Sequence, residues 1–146
     1  MRLRKENILI KQNIENWEEA IEYASKPLLK NKVINRNYIS KMIENVKIMG
    51  PYIVLSNDIA MPHARPEDGA AKSEISLLKL KDRVSFGGDK HVNVIITLAC
   101  ADDYTHIKTL SFVSKILSDD TKYKKLISSY DIDEIYNIFN ESEDVL

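Results

Sequence analysis

The sequence predicts an α/β domain: a mixed β-sheet sandwiched between helices. Three observations predict it. Apolar residues recur at helical spacing towards both ends of the chain. Between them lies VNVIITLAC, residues 92–100, a nearly continuous β-branched run suited to a central strand buried on both faces. Clusters of Gly, Pro and Asp separate the two kinds of segment. Helices packed on a buried sheet are the layered solution to such a pattern. At 146 residues the chain has the size of one ordinary domain, and 1–146 is read as a single unit.

In chain order, Asn16 precedes Trp17, Ala20, Ile21, Ala24 and Leu28, the spacing of one helix face. Asn16 and Glu19 resemble a capping pair. Pro27 falls inside this pattern, so a kink or an early stop is expected there. A second helix should run from about Tyr38, with Ile39, Met42, Ile43 and Val46 inward, and end near Gly50 and Pro51. Residues 52–55 read as a short strand and residues 59–61 as another apolar stub. PHARPEDG, Pro62 to Gly69, holds two prolines and a glycine and is a loop. Ile75 to Leu80 reads as a strand, Phe86 to Asp89 as a turn, and Val92 to Cys100 as the buried strand. Asp102 and Asp103 are cap candidates for a helix carrying Ile107, Leu110, Val113, Ser114 and Leu117 on one side. After Asp131 a last amphipathic helix presents Ile132, Ile135, Ile138 and Phe139. No internal repeat, low-complexity tract or linker interrupts the series.

Composition excludes several functions. Hydrophobic residues are 44% and charged residues 29%, enough apolar material for one core. A formal net charge of -1 lacks the basic excess of a dedicated nucleic-acid binder. No apolar run is long enough to span a bilayer, and the apolar stretch within MRLRKENILI is too short for a secretory signal. The lone cysteine, Cys100, cannot form an internal disulfide, so a cytoplasmic location is expected. Its place at the end of an apolar run reads as a buried structural thiol. There is no Walker-type glycine loop, no HExxH, no CxxC and no GxSxG, so no cofactor and no metal are expected.

Three histidines remain: His63, His91 and His106. His63 follows a short apolar strand, and His106 lies near the start of the helix after the most buried strand. Open α/β sheets place their ligands at such strand ends. Each also has a plainer reading: a loop histidine satisfying a carbonyl, or a polar residue opening a helix. His91, beside the Gly87-Gly88 turn, reads as an exposed loop residue. Arg65, Glu67 and Asp68 read as a solvated loop, and the Asp102-Asp103 pair as a helix cap.

At IAMPHARPEDG, residues 59–69, the sequence resembles the phosphorylation-site segment of the mannitol/fructose-type (type 2) enzyme IIA family of bacterial sugar phosphotransferase systems. It looks most like the ascorbate branch, through Gly50-Pro51-Tyr52, Trp17-Glu-Glu-Ala20 and Thr105-His106 after Leu98-Ala-Cys-Ala101. These spaced features cover about residues 15 to 139. The resemblance implies an enzyme IIA α/β/α domain and a phosphotransferase activity. His63 would accept phosphoryl on Nε2 from the carrier HPr and pass it to a cysteine of the IIB partner. The membrane IIC protein, reached only indirectly, would move the sugar, an ascorbate-like one by this branch. His106 would stabilise the phosphate. Where many members carry an arginine in the preceding helix, alignment on Tyr52 puts Asn45, and Arg65 is the candidate to supply that charge. A homodimer stays open. The alternatives are a phosphorylation-dependent regulator of the same fold, and a metal-dependent hydrolase using His63, His106 and Asp102 or Asp103. The absence of any attached DNA-binding or sensor segment in 1–146 argues for the carrier.

Overall fold

The structure, a computed structural model, describes residues 3–56 and 58–140. Four strands form one sheet in the order β1-β3-β4-β2: β1 Ile8–Lys11, β2 Ile59–Ala60, β3 Glu74–Ser85 and β4 His91–Ala99. β1 runs parallel to β3, β3 antiparallel to β4, and β4 parallel to β2, so the sheet is mixed as expected. Among the described residues five α-helices cover it: α1 Trp17–Lys30, α2 Arg36–Met49, α3 Asp103–Leu117, α4 Asp120–Ser128 and α5 Ile132–Asn140.

Side-chain alternation along the two long strands builds two cores. Leu78, Leu80, Ile95 and Ala99 face α1 and α2. Ile75, Leu77, Ile96 and Leu98 face α3, α4 and α5. β4 is buried along Val92–Ala99, which is why its sequence shows no polar-apolar alternation. Among the described residues no helix is long and apolar enough to cross a membrane.

The helix starts follow from their caps. Asn16 Oδ1 accepts from Glu19 N–H at 2.9 Å, and Asn35 Oδ1 accepts from Tyr38 N–H at 3.1 Å, so α2 begins at Arg36, ahead of Tyr38. α2 stops at Gly50, whose φ of +80° suits a residue without Cβ. Asp102 Oδ1 accepts from Thr105 N–H at 2.7 Å, confirming Asp102 as the cap of α3.

Five sequence expectations need correction. α1 runs three residues past Pro27, to Lys30. The missing N–H of Pro27 costs one intrahelical bond, the one to the Tyr23 carbonyl, and only one turn of helix lies beyond it. Residues 52–55 are not a strand: Tyr52 N–H donates to Gly50 O and Val54 N–H to Pro51 O, closing turns, and only Val54 bridges to Ala60. On α3, Ile107 is 69% exposed, and the buried face is Thr109, Val113 and Ile116, with Leu110 and Leu117 at its margin. On α5, Ile132 is half-exposed while Ile135, Ile138 and Phe139 are buried. His91 is exposed but opens β4 opposite Ser85 rather than lying in the turn.

Candidate active site

β2 and β4 deliver the site. β2 ends at Ala60, and Leu98 N–H then donates to Pro62 O at 3.0 Å, extending the contact to the residue before His63. Met61 N–H donates to Ile53 O at 2.9 Å, fixing the other side of the same segment. His63 is therefore presented by a backbone held from both sides, and its side chain is half-buried.

Among the described residues the His63 ring has one hydrogen-bond partner. Nδ1 lies 2.8 Å from the Met61 carbonyl oxygen. A carbonyl can only accept, so Nδ1 carries the proton and Nε2 holds the free lone pair. Burial pushes the His63 pKa below its ordinary value; the Met61 hydrogen bond opposes that shift and the neighbouring His106 adds to it. The neutral ring with a bare Nε2 is a nucleophile near neutral pH.

His106 stands edge-on to His63, with ring centroids 5.3 Å apart at 83°. Tyr52 also stands edge-on to His63, at 6.2 Å and 80°. Strand-end convergence, an expectation of the sequence, is thus met by His63 and His106, while His91 lies elsewhere, exposed at the start of β4. The base of His106 is fixed by a small network. Ser73 Oγ donates to Thr105 Oγ1 at 2.7 Å and accepts from Ala101 N–H at 2.9 Å. His106 N–H donates to Asp102 O at 3.0 Å, and Thr105 N–H is taken by the Asp102 carboxylate. Those two amides are consequently spent inside the helix, and what His106 offers an anion is its ring.

The two histidines open onto a cavity of about 490 Å³. Its wall also carries Asn45, Met49, Tyr52, Arg65, Glu67 and Asp103. Asn45 thus faces the site, as its alignment position requires. Burial raises the Tyr52 phenol above its ordinary value, with a hydrogen bond from the Asn45 side chain offsetting part of it. Arg65 is exposed and forms no ion pair among the described residues. Its backbone N–H donates to Asp68 Oδ2 at 3.1 Å, so the carboxylate of Asp68 shapes the loop. Cys100 is buried and burial raises its thiol pKa, the behaviour of a structural thiol. Among the described residues no three His, Cys, Asp or Glu side chains come together to hold a metal, and Asp102 is committed to its cap.

A neutral imidazole with its tautomer set, a second imidazole beside it and one arginine on an open wall can accept and release an anionic group. The family model for the phosphoenolpyruvate-dependent sugar phosphotransferase system, EIIA 2, matches residues 1–142. The chain belongs to this EIIA family. It is 34% identical over 124 residues to the mannitol-specific cryptic phosphotransferase enzyme IIA component of Escherichia coli, covering 84% of each chain. It is 27% identical over 139 residues to the ascorbate-specific PTS system EIIA component of the same organism, covering 93% of this chain and 90% of that one. Its fold is that of enzyme IIAMTL in the complex with phosphorylated enzyme IIBMTL from Escherichia coli, with a TM-score of 0.83, 24% identity, and 96% and 98% of the two chains covered. This EIIA chain therefore matches relatives named for mannitol as well as for ascorbate, and the ascorbate branch is not singled out.

Sequence reasoning missed one residue that contacts the backbone on either side of the site. Tyr38 entered only as the start of a helix. Its hydroxyl lies in the core, donating to Leu98 O at 2.7 Å and accepting from Ala64 N–H at 3.2 Å. The available signal was a tyrosine on an otherwise apolar helix face, because a buried phenol must find partners.

Proposed function

We propose that this EIIA is a cytoplasmic phosphocarrier in which His63 accepts phosphoryl on Nε2 from phospho-HPr and hands it to a cysteine of a IIB partner. One observation supports the reading: the Nδ1–Met61 contact leaves Nε2 of a half-buried ring without a proton, on a residue that lines the cavity beside His106. In the forward step the Nε2 lone pair attacks phosphorus. A new N–P bond forms, the N–P bond to the HPr imidazole breaks, and its electron pair returns to the HPr ring. The Nδ1 proton stays on His63, where the Met61 carbonyl stabilises the cationic phosphoimidazole. Delivery to IIB reverses the roles, with a thiolate sulfur attacking and neutral His63 leaving.

Because such transfer is mainly positioning and electrostatics, each wall residue has a separate task. His106 donates a ring N–H to a phosphoryl oxygen. Arg65 supplies the one guanidinium on the wall, in place of the arginine that Asn45 displaces. Exposed Met49, Tyr52, Tyr104 and Ile107 give a partner protein apolar surface around the cavity. The sugar would be set by IIB and IIC. An ascorbate-like one remains our reading of the PHARPEDG segment, beside the mannitol relatives.

The test is incubation with enzyme I, HPr and phosphoenolpyruvate. The wild type should gain one acid-labile phosphoryl group, and His63→Ala, folded, should gain none. Full labelling of His63→Ala would end the assignment.

A further inference from the structure

The geometry points to Tyr38 as the residue that aims His63, by inserting its hydroxyl into the β2–β4 ladder where the next rung would close; this rests on His63 being the acceptor. In a parallel pair, a residue on one strand donates N–H to the residue before its partner and accepts from the residue after it. β2 and β4 follow that rule, with Ile59 opposite Val94 and Val94 N–H donating to Asp58 O at 3.1 Å. Advancing four residues on both strands places His63 opposite Leu98. The first half of that rung is made, since Leu98 N–H donates to Pro62 O at 3.0 Å. The second half would join Ala64 N–H to Leu98 O. Instead the Tyr38 hydroxyl stands between them, accepting from Ala64 at 3.2 Å and donating to Leu98 at 2.7 Å.

The consequence is a controlled end to the strand. A direct rung would keep residues 62–64 extended along β4 and carry His63 with them. The inserted oxygen holds Ala64 off the ladder yet leaves neither backbone group unpaired, although Ala64 and Leu98 are both buried. The chain can then bend so that Nδ1 meets Met61 O two residues back. Leu98 is also four residues before Asp102, the cap of the helix that carries His106. One hydroxyl thus sets both rings of the site. Tyr38 is fully buried at the start of α2, itself anchored by Asn35 N–H donating to Gly69 O at 3.0 Å, so the oxygen has little freedom to drift. Tyr38 touches no substrate and is a positioning residue.

Tyr38→Phe keeps the ring and removes only the oxygen. With purified phospho-HPr as donor, we expect kcat for phosphoryl uptake to fall roughly tenfold or more, in line with the sensitivity of transfer to small misplacements. KM for HPr should stay within twofold, because the exposed rim is untouched. The His63 ¹⁵N spectrum should change from one tautomer, protonated on Nδ1, to a mixture. A folded Tyr38→Phe with wild-type kcat and an unchanged tautomer would overturn the proposal. His63→Ala run alongside separates the two ideas: its labelling would sink the acceptor assignment, whereas its silence with an active Tyr38→Phe sinks only the role of Tyr38. The wild type gives a reading that no folding defect obscures. The Tyr38 hydroxyl proton should exchange slowly and show a nuclear Overhauser contact to the Ala64 amide. A scalar coupling from Ala64 N directly to the Leu98 carbonyl carbon would mean the rung is closed and the proposal wrong.

Discussion

Arg65→Ala should slow phosphoryl uptake from HPr by about tenfold, and the size follows from where the guanidinium sits. The cavity wall carries Arg65 as a cation and Glu67 and Asp103 as carboxylates, so removing Arg65 leaves two carboxylates, with neutral Asn45 and Tyr52 and the His106 ring beside them, facing an incoming anion. A charge-assisted hydrogen bond in a shielded site is worth about 1.5–3 kcal/mol, and an exposed ion pair about 0.2–1 kcal/mol. Arg65 is exposed, but in the proposed transfer complex it would meet the phosphoryl group inside a cavity covered by the partner, so a value of about 1.4 kcal/mol lies between the two regimes. That corresponds to about a factor of ten in rate. Arg65→Lys should recover part of it, since an ammonium lacks the planar fork. The assay is single-turnover transfer from phospho-HPr, at low salt and near 1 M salt, where the screening length drops to about 3 Å. The defect of Arg65→Ala should shrink at high salt. Wild-type rates for Arg65→Ala at both salt concentrations would refute the role and leave the charge to His106 and to the partner's surface.

Three other outcomes are expected. His106→Ala should still accept phosphoryl, more slowly, and deliver it to IIB poorly; unchanged rates in both directions would return His106 to a helix-start role. Because burial lowers the His63 pKa, its NMR titration midpoint in the unphosphorylated protein should lie below 6.5, and uptake should persist as pH falls until that midpoint is passed; a midpoint above 6.5 contradicts the desolvated ring. Lys79, fully buried, donates to Leu126 O at 2.6 Å and to Ile127 O at the end of α4, with its pKa lowered to about 8 from 10.5 by burial first and Arg83 second. The unfolded chain therefore binds more protons between those values, so wild-type stability relative to Lys79→Met should rise from pH 8 to pH 10.5; urea midpoints whose difference stays flat would contradict this.

What the sequence made legible depended on how local the cause was. The β4 run, the caps at Asn16 and Asp102 and the stop at Gly50 could be read because each is decided by neighbouring residues. β1 was missed because four residues, ILIK, become a strand only when β3 offers a parallel edge. α4 was missed because Leu126 is its single fully buried residue, too little for a periodic signal. The Tyr52 stretch looked like a strand by composition, but the backbone bonds at Gly50 and Pro51 turn it. In the site, the family resemblance of the PHARPEDG segment singled out His63 and Arg65, and that of Thr105-His106 singled out His106, where position alone favoured the plainer readings. The bond from Nδ1 to Met61 follows from the bend of residues 61–63, and the Tyr38 insertion joins residues 26 and 60 positions away, beyond what local pattern can carry.

The central claim is that phosphoryl resides on Nε2 of His63. Phosphorylating ¹⁵N-histidine-labelled protein with enzyme I, HPr and phosphoenolpyruvate, and recording the ¹⁵N–³¹P correlation, tests it most directly. The account predicts one phosphorus coupled to Nε2 of His63, with Nδ1 still protonated against the Met61 carbonyl. Phosphorus on His106, on His91, or on Nδ1 of His63 would contradict it.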